Sequence, residues 1–271
     1  MAKKRLDSLL VDKGLCTGRD KAKGFIMAGQ VYVDNQKADK PGMEVPEGCK
    51  LELRGEEPRY VSRGGLKLEK ALAVFTVSLR GAVCADIGAS TGGFTDCMLQ
   101  SGAEKVYAID VGYGQLAWSL RNDPRVIVLE RTNIRHVTER QIPEPLDFFS
   151  VDVSFISLAL VLPVGASFLR PGGEAVCLVK PQFEAGREKV GKKGVVREPA
   201  VHREVVEKTV KTAVDNGFSV LDIDYSPIKG PEGNIEYLMH LKKSENPSGP
   251  GLEKARQVVA RSHEELRGGS A

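Results

Sequence analysis

The first residues of this chain whose types and spacing could do chemistry lie between Val83 and Asp110. An apolar strand stops at Asp86, and a turn follows through Gly88, Gly92 and Gly93. A helical run comes next, and a second apolar strand stops at Asp110. Such βαβ units bind ligands outside the carboxyl ends of their strands, where glycines admit a close backbone and an acidic residue on the second strand accepts ribose hydroxyls. The spacing here is Asp-x-Gly-x-x-x-Gly-Gly-Phe, not Gly-x-Gly-x-x-Gly. That argues against a pyrophosphate at the helix start and for a nucleoside whose other end is small, as in S-adenosylmethionine.

A parallel sheet has to position these groups, and the rest of the sequence supplies one. Apolar runs predict further strands over 126–129, 146–151 and 175–179, separated by helices over Gly112–Arg121, with Trp118 partly buried, and over Ser154–Leu169. A helix over Ala200–Asn216, a strand over Phe218–Tyr225 and a last strand over Ile235–Leu241 complete the pattern. Four strands thus finish on a charged residue, Asp86, Asp110, Asp152 and Lys180, and in a parallel sheet those ends share the edge where ligands bind. Pro181 holds Lys180 extended at its strand end. Asn133, just past the third strand, is placed to meet an adenine edge. If the last strand runs antiparallel, its beginning returns to the same edge and Glu236 faces the site.

Lys67 stands in the first turn of the helix opened by Ser-Arg-Gly-Gly-Leu-Lys-Leu, where the macrodipole disfavours a cation. It is either a surface lysine near a helix end or a local rule broken for function. The segment Gln182–Pro199 is rich in glycine and lysine, Lys192 and Lys193 included, and too long for an ordinary connection. A mobile basic loop there suits an RNA backbone or a solvated lid; Lys180 at its start favours RNA.

The net charge of +3 says little about partners, and five scattered cysteines without a Cys-x-x-Cys pair fit reduced thiols, a cytoplasmic location and no metal site. Met1 to Asp7 has no apolar secretion signal, and the longest uncharged run, Val153–Leu169, is too short to span a bilayer. No stable membrane association is expected.

The first fifty residues read as helix, helix, hairpin. Leu6, Leu9 and Leu10 share one face; a second helix starts near Thr17 and ends at Gly29; Asp34-Asn35 turns a hairpin. Through Lys40 this stretch holds nine basic residues against five acidic ones, with Arg5, Arg19 and Lys23 on polar helix faces, where cations can meet phosphates. Arg-Leu-Asp-x-x-Leu, followed by Arg-x-x-Ala-x-x-x-Ile-x-x-Gly-x-Val-x-Val-Asp, closely resembles the S-four RNA-binding domain over about residues 3–55. Thr17-Gly18-Arg19 departs from that family, which most often has serine directly before the arginine.

Lys67, Asp152, Lys180 and Glu236, together with Asp-Ile-Gly-Ala-Ser-Thr-Gly-Gly-Phe, resemble the tetrad and donor motif of the FtsJ-like ribose 2′-O-methyltransferases. Ser-Arg-Gly-Gly-Leu-Lys-Leu, Asp-Val-Ser-Phe-Ile-Ser-Leu and Leu-Val-Lys-Pro-Gln-Phe-Glu extend the likeness over nearly the whole chain, to the TlyA family of rRNA cytidine 2′-O-methyltransferases, also called hemolysins.

The resemblance implies an α/β, Rossmann-like methyltransferase fold, mostly parallel with an antiparallel last strand, behind a small α+β RNA-binding domain. The expected division is 1–58, 59–246 and a C-terminal linker and helix over 247–271. It implies S-adenosylmethionine as donor and ribosomal RNA of one or both subunits as acceptor. Donor contacts are expected from Asp86, Gly88, Gly92, Phe94, Asp110, Asn133 and Asp152, and RNA contacts from Arg5, Arg19, Lys23, Arg63, Lys192 and Lys193.

A ribose hydroxyl attacks a sulfonium methyl only as its proton is accepted, so a general base is required. A free lysine, with a pKa of about 10.4, is charged at neutral pH, and burial beside a second lysine lowers that value. Lys180 is the expected base and Lys67 its neighbour, with Asp152 and Glu236 holding both. A membrane-active hemolysin and a non-catalytic ribosome assembly factor are the alternatives from other classes. A nicotinamide dehydrogenase lacks its pyrophosphate glycine pattern.

Overall fold

The computed structural model describes residues 2–55 and 58–267. Its first part is built from β1 (Lys3–Arg5), α1 (Leu6–Asp12), α2 (Arg19–Met27), β2 (Val31–Val33), β3 (Gln36–Ala38), β4 (Glu44–Pro46) and β5 (Leu51–Leu53). Leu6, Leu9, Leu10, Phe25, Ile26 and Val31 close a small core of their own. Asp34 and Asn35 both adopt positive φ, as a two-residue turn between β2 and β3 needs. Gly18, and not Thr17, occupies the N-cap of α2. β4 pairs with β1, and β5 pairs with β2.

The larger part follows from α3 (Gly65–Val74). It comprises β6 (Val83–Ile87), α4 (Gly93–Gln100), β7 (Lys105–Ile109), α5 (Trp118–Arg121), β8 (Val126–Leu129), β9 (Leu146–Val151), α6 (Leu158–Phe168), β10 (Leu169–Val179), α7 (Pro181–Glu184), α8 (Pro199–Asp215), β11 (Phe218–Tyr225), β12 (Tyr237–Lys243) and α9 (Leu252–Arg267). Seven strands form one sheet in the order β11-β12-β10-β9-β6-β7-β8. β12 runs antiparallel to both its neighbours, and the pairs β10–β9, β9–β6, β6–β7 and β7–β8 are parallel. The central strands read as unbroken apolar runs because helices cover both sheet faces. Phe149, Val161, Val206 and Met239 belong to one core cluster and Leu68, Met98, Phe148 and Leu238 to the other.

The sequence pattern misplaces several boundaries near the site. Of the helix expected over Gly112–Arg121 only α5 forms, and Trp118 is exposed. The carboxylate of Asp110 takes the Gly112 N–H at 2.6 Å and Gly114 adopts positive φ, so the chain loops before it can coil. The helix expected from Ser154 begins at Leu158, capped by the Ser157 hydroxyl, which leaves residues 153–157 as a loop. β10 begins at Leu169 and β12 at Tyr237. Tyr60, just ahead of α3, is buried in the core cluster that holds Leu68 and Phe148, and positions 56 and 57 lie outside the described residues. All five cysteines are buried, and none is joined in a disulfide.

Candidate active site

Two glycines let Lys67 reach the sheet edge. A Cβ on Gly93, at the start of α4, would lie 2.8 Å from the Gly65 nitrogen, and one on Gly65 would strike the Tyr60 ring. Their absence lets the starts of α3 and α4 cross closely. Lys67, third residue of α3, thereby reaches over the carboxyl edge of the sheet. Its Nζ donates to Glu236 Oε2 at 2.7 Å and lies 3.6 Å from Asp152 Oδ2. Lys180, held extended at the end of β10 as Pro181 requires, puts its Nζ 2.5 Å from Asp152 Oδ1 and 3.4 Å from the Ser154 hydroxyl. The four residues therefore form one chain, Glu236, Lys67, Asp152, Lys180. The two lysines do not meet directly as the sequence suggested; a carboxylate stands between them.

Lys67, Lys180 and Glu236 are buried, Glu236 completely, and Asp152 is half-buried. Burial opposes a charge on Lys67, but Asp152 and Glu236 outweigh it and hold the amine above its ordinary value. Burial likewise pushes the Asp152 carboxyl up, and the two lysines more than reverse it, so it stays below the usual carboxylate range. Lys67 is thus a fixed cation. Removing one partner from such a buried set costs about 3–5 kcal/mol, because the remaining charge is left uncompensated.

Beside this chain lies a cleft of about 530 Å³ over the ends of β6, β7 and β9, lined by Gly88, Asp110, Gln115, Asn133, Asp152 and Phe155 among others. It sits where the strand order reverses, between β6 and β9, the place ligands take in open α/β sheets. Gly88 has a φ of 91°, and a Cβ there would lie 2.5 Å from the Asp152 carbonyl oxygen, so only glycine keeps this floor open. Asp110 is braced by the Ser90 N–H at 2.8 Å and the Gly112 N–H at 2.6 Å, which fix its carboxylate at the cleft. Asn133 accepts from the Arg135 N–H at 3.0 Å.

Three further residues expected at the donor, Asp86, Gly92 and Phe94, are not in the lining of this cleft. Asp86 is wholly buried and accepts from the Thr95 N–H and hydroxyl, at 2.9 and 2.7 Å, and from the Ser150 hydroxyl at 3.2 Å. Burial pushes its carboxyl up to about 7. It anchors the first turn of α4. Gly92 is needed because a Cβ would run into Leu116 and Leu120, and Phe94 is a core residue. Sequence spacing reveals a glycine or an aromatic ring but not which neighbour it meets.

A second cleft of about 820 Å³ opens on the other side, lined by Lys180, Gln182, Phe183, Lys193, Asn234 and Glu236 among others, and shares Ser154 and Phe155 with the first. Phe155, which sequence reading did not single out, is 90% exposed at a φ of 64°, an uncommon conformation for a bulky residue. Its ring lies 4.9 Å from that of Phe183. The only signal for it was its place in Asp-Val-Ser-Phe, directly after a charged strand end. Lys192 and Lys193 are exposed on the adjoining basic segment, and Arg63 is exposed just ahead of α3.

Arg5, Arg19 and Lys23 stand apart from both clefts, on the surface of the first part of the fold. Arg5 grips the buried Asp7 at 3.1 and 2.9 Å and Arg19 the same carboxylate at 2.9 Å, while Lys23 pairs with Asp20 at 3.3 Å. Both arginines remain about half exposed. Among the described residues no three His, Cys, Asp or Glu side chains gather to hold a metal ion, and no helix is long and apolar enough to cross a membrane.

Residues 60–243 match the family described as FtsJ-like methyltransferase, and residues 4–48 match the S4 domain. The chain is 51% identical to YqxC of Bacillus subtilis, over 98% of this chain and 96% of that protein. It is 44% identical to the 16S/23S rRNA (cytidine-2′-O)-methyltransferase TlyA of Mycobacterium tuberculosis, over 93% and 95%. A solved structure from Streptococcus thermophilus, described as a hemolysin, matches with a TM-score of 0.79 at 50% identity and covers 98% of both chains.

Proposed function

Since the chain belongs to the FtsJ-like methyltransferase family and carries an S4 domain ahead of it, we propose that it methylates the ribose 2′-hydroxyl of cytidine in ribosomal RNA. S-adenosylmethionine is the donor, and the M. tuberculosis relative's named activity supplies the substrate class. The observation that carries the reading is the buried chain Glu236–Lys67–Asp152–Lys180, which lies where a nucleoside-sized cleft meets a basic one.

The first cleft fits the donor. Gly88 leaves its floor open, Asp110 presents a braced carboxylate for ribose hydroxyls, and Asn133 presents an amide for the adenine edge. Bound there, S-adenosylmethionine supplies an electrophilic sulfonium methyl. The chain's own residues do the rest. Lys67 is committed to two carboxylates and keeps a positive charge beside the place where the 2′-oxygen becomes negative. Lys180, with one carboxylate and one hydroxyl partner, is the amine left to accept the hydroxyl proton once it has released its own to solvent. Asp152 holds both and fixes their separation.

Phe155 and Phe183 offer a face on which the base of the acceptor nucleotide stacks once drawn out of its helix. Lys192, Lys193 and Arg63 supply nearby cations for the RNA backbone, and Arg5 and Arg19, locked on Asp7, a more distant pair. The division we assign is an RNA-binding module over 1–58, a methyltransferase unit over 59–246 and a segment over 247–271 whose helix α9 packs on α8 and β11. Ribosomal RNA, free or within its subunits, is the partner, and the cytoplasm the place of action. Incubating the purified protein with each ribosomal subunit and labelled donor, then mapping 2′-O-methyl positions, tests the reading. A methylated cytidine ribose supports it, and label found only on a base contradicts it.

A further inference from the structure

The segment between α7 and α8, which its glycines and lysines mark as mobile, is fastened at one residue from both sides. Val196 donates its N–H to Asn234 Oδ1 at 3.2 Å. Its carbonyl meets His202 Nε2 at 2.9 Å, and since a carbonyl only accepts, that nitrogen carries the proton. The other ring nitrogen, Nδ1, then accepts from the Tyr237 hydroxyl at 2.8 Å. Asn234 also donates its Nδ2 to the Gly194 carbonyl at 3.0 Å. Asn234, His202, Tyr237 and Val196 are all buried.

Asn234 and Tyr237 flank Glu236 in sequence, and Lys193 lines the same cleft as Glu236 and Lys180. The bonds therefore set the register between the basic segment and the carboxylate that holds Lys67. Burying an asparagine amide and an imidazole is costly unless every polar atom is used; here the amide is spent on loop backbone and the imidazole on the Val196 carbonyl and the Tyr237 hydroxyl. Lys193 itself sits at a φ of 69°, a conformation that a free loop would relax.

We propose that Asn234 and His202 are positioning residues for RNA, holding 191–197 as a preorganised wall of the acceptor cleft, with Lys193 in its lining and Lys192 exposed beside it. The proposal rests on the reading of that cleft as an RNA site. A preformed wall spares the ordering cost that a mobile loop would meet on each encounter.

The loop is tested without RNA first. In the wild-type protein the Val196 amide should be strongly protected from hydrogen exchange, and Asn234→Ala should speed tryptic cleavage after Lys192 or Lys193 by at least about tenfold. With rRNA fragments, Asn234→Ala should weaken binding about tenfold while the dissociation constant for S-adenosylmethionine stays unchanged. Replacing Lys192 and Lys193 by alanine in that background should cost little more, since their contribution is already lost. If Asn234→Ala does not fold, amide exchange in the wild type decides alone. A Val196 amide exchanging as fast as an unprotected one overturns the proposal, as does a loosened loop with RNA affinity intact. Failure of the wild-type protein to methylate any RNA would instead overturn the functional reading and leave the exchange and trypsin results standing.

Discussion

Asp152 presents one oxygen 2.5 Å from the amine of Lys180 and keeps its second, 3.6 Å away, for Lys67. One carboxylate thus sets the spacing of the two amines proposed to handle the acceptor hydroxyl. Asp152→Asn keeps the shape and removes the charge, so methyl transfer should fall by about a hundredfold or more. The pH dependence has a definite sign. The Asp152 carboxyl is held below its unfolded value, so its contribution to stability is present above about pH 4 and is lost as pH falls through the folded value. Urea melts at pH 3 and pH 6 should converge for Asp152→Asn more than for the wild type.

Asp86 should show the reverse. Its folded carboxyl is raised to about 7, so between about pH 4 and that value the folded state binds the extra proton, and stability declines as pH rises. The shift corresponds to a decline on the order of 4 kcal/mol. Asp86→Asn can still accept from Thr95 and donate to the Ser150 hydroxyl, so its stability should be flat over that range. Denaturation at pH 5 and pH 8.5 checks both.

Phe155 is exposed and lines both clefts, so Phe155→Ala should leave the melting temperature unchanged within error. If its ring stacks on the acceptor base, kcat/KM for RNA should drop about tenfold to a hundredfold, the equivalent of about 1–3 kcal/mol. Steady-state kinetics at saturating donor measure it.

Arg19→Ala should weaken RNA binding at every sequence alike and reduce the slope of log K against log salt by about one. Titrations of a labelled rRNA fragment over a salt series would read this directly. Donor affinity should not change, because Arg19 stands away from the donor cleft.

The parallel strands were legible because each is an apolar run ending on a charge, and strand ends are where such sheets bind. The tetrad was legible for the same reason, with Pro181 confining Lys180 and an antiparallel β12 returning Glu236 to the edge. What the sequence could not show depends on contacts between distant residues. Gly92 and Phe94 are expected at the donor from their motif; what spacing hides is that Leu116 and Leu120 crowd Gly92 and that Phe94 packs in the core. The stretch from Gly112 failed to coil because the Asp110 carboxylate captures its first N–H. The loop from Val153 to Ser157 was hidden inside an apolar run that reads as helix from Ser154 onward. Loop 191–197 reads as mobile because its anchors, Asn234 and His202, lie outside it in sequence.

The most direct measurement compares wild type and Lys180→Met for two quantities on one preparation: S-adenosylmethionine affinity by calorimetry and methyl incorporation into ribosomal RNA. Donor affinity preserved, with transfer reduced by about 10²-fold or more, is the result expected if Lys180 accepts the ribose proton. Transfer at the wild-type rate in Lys180→Met would contradict that role.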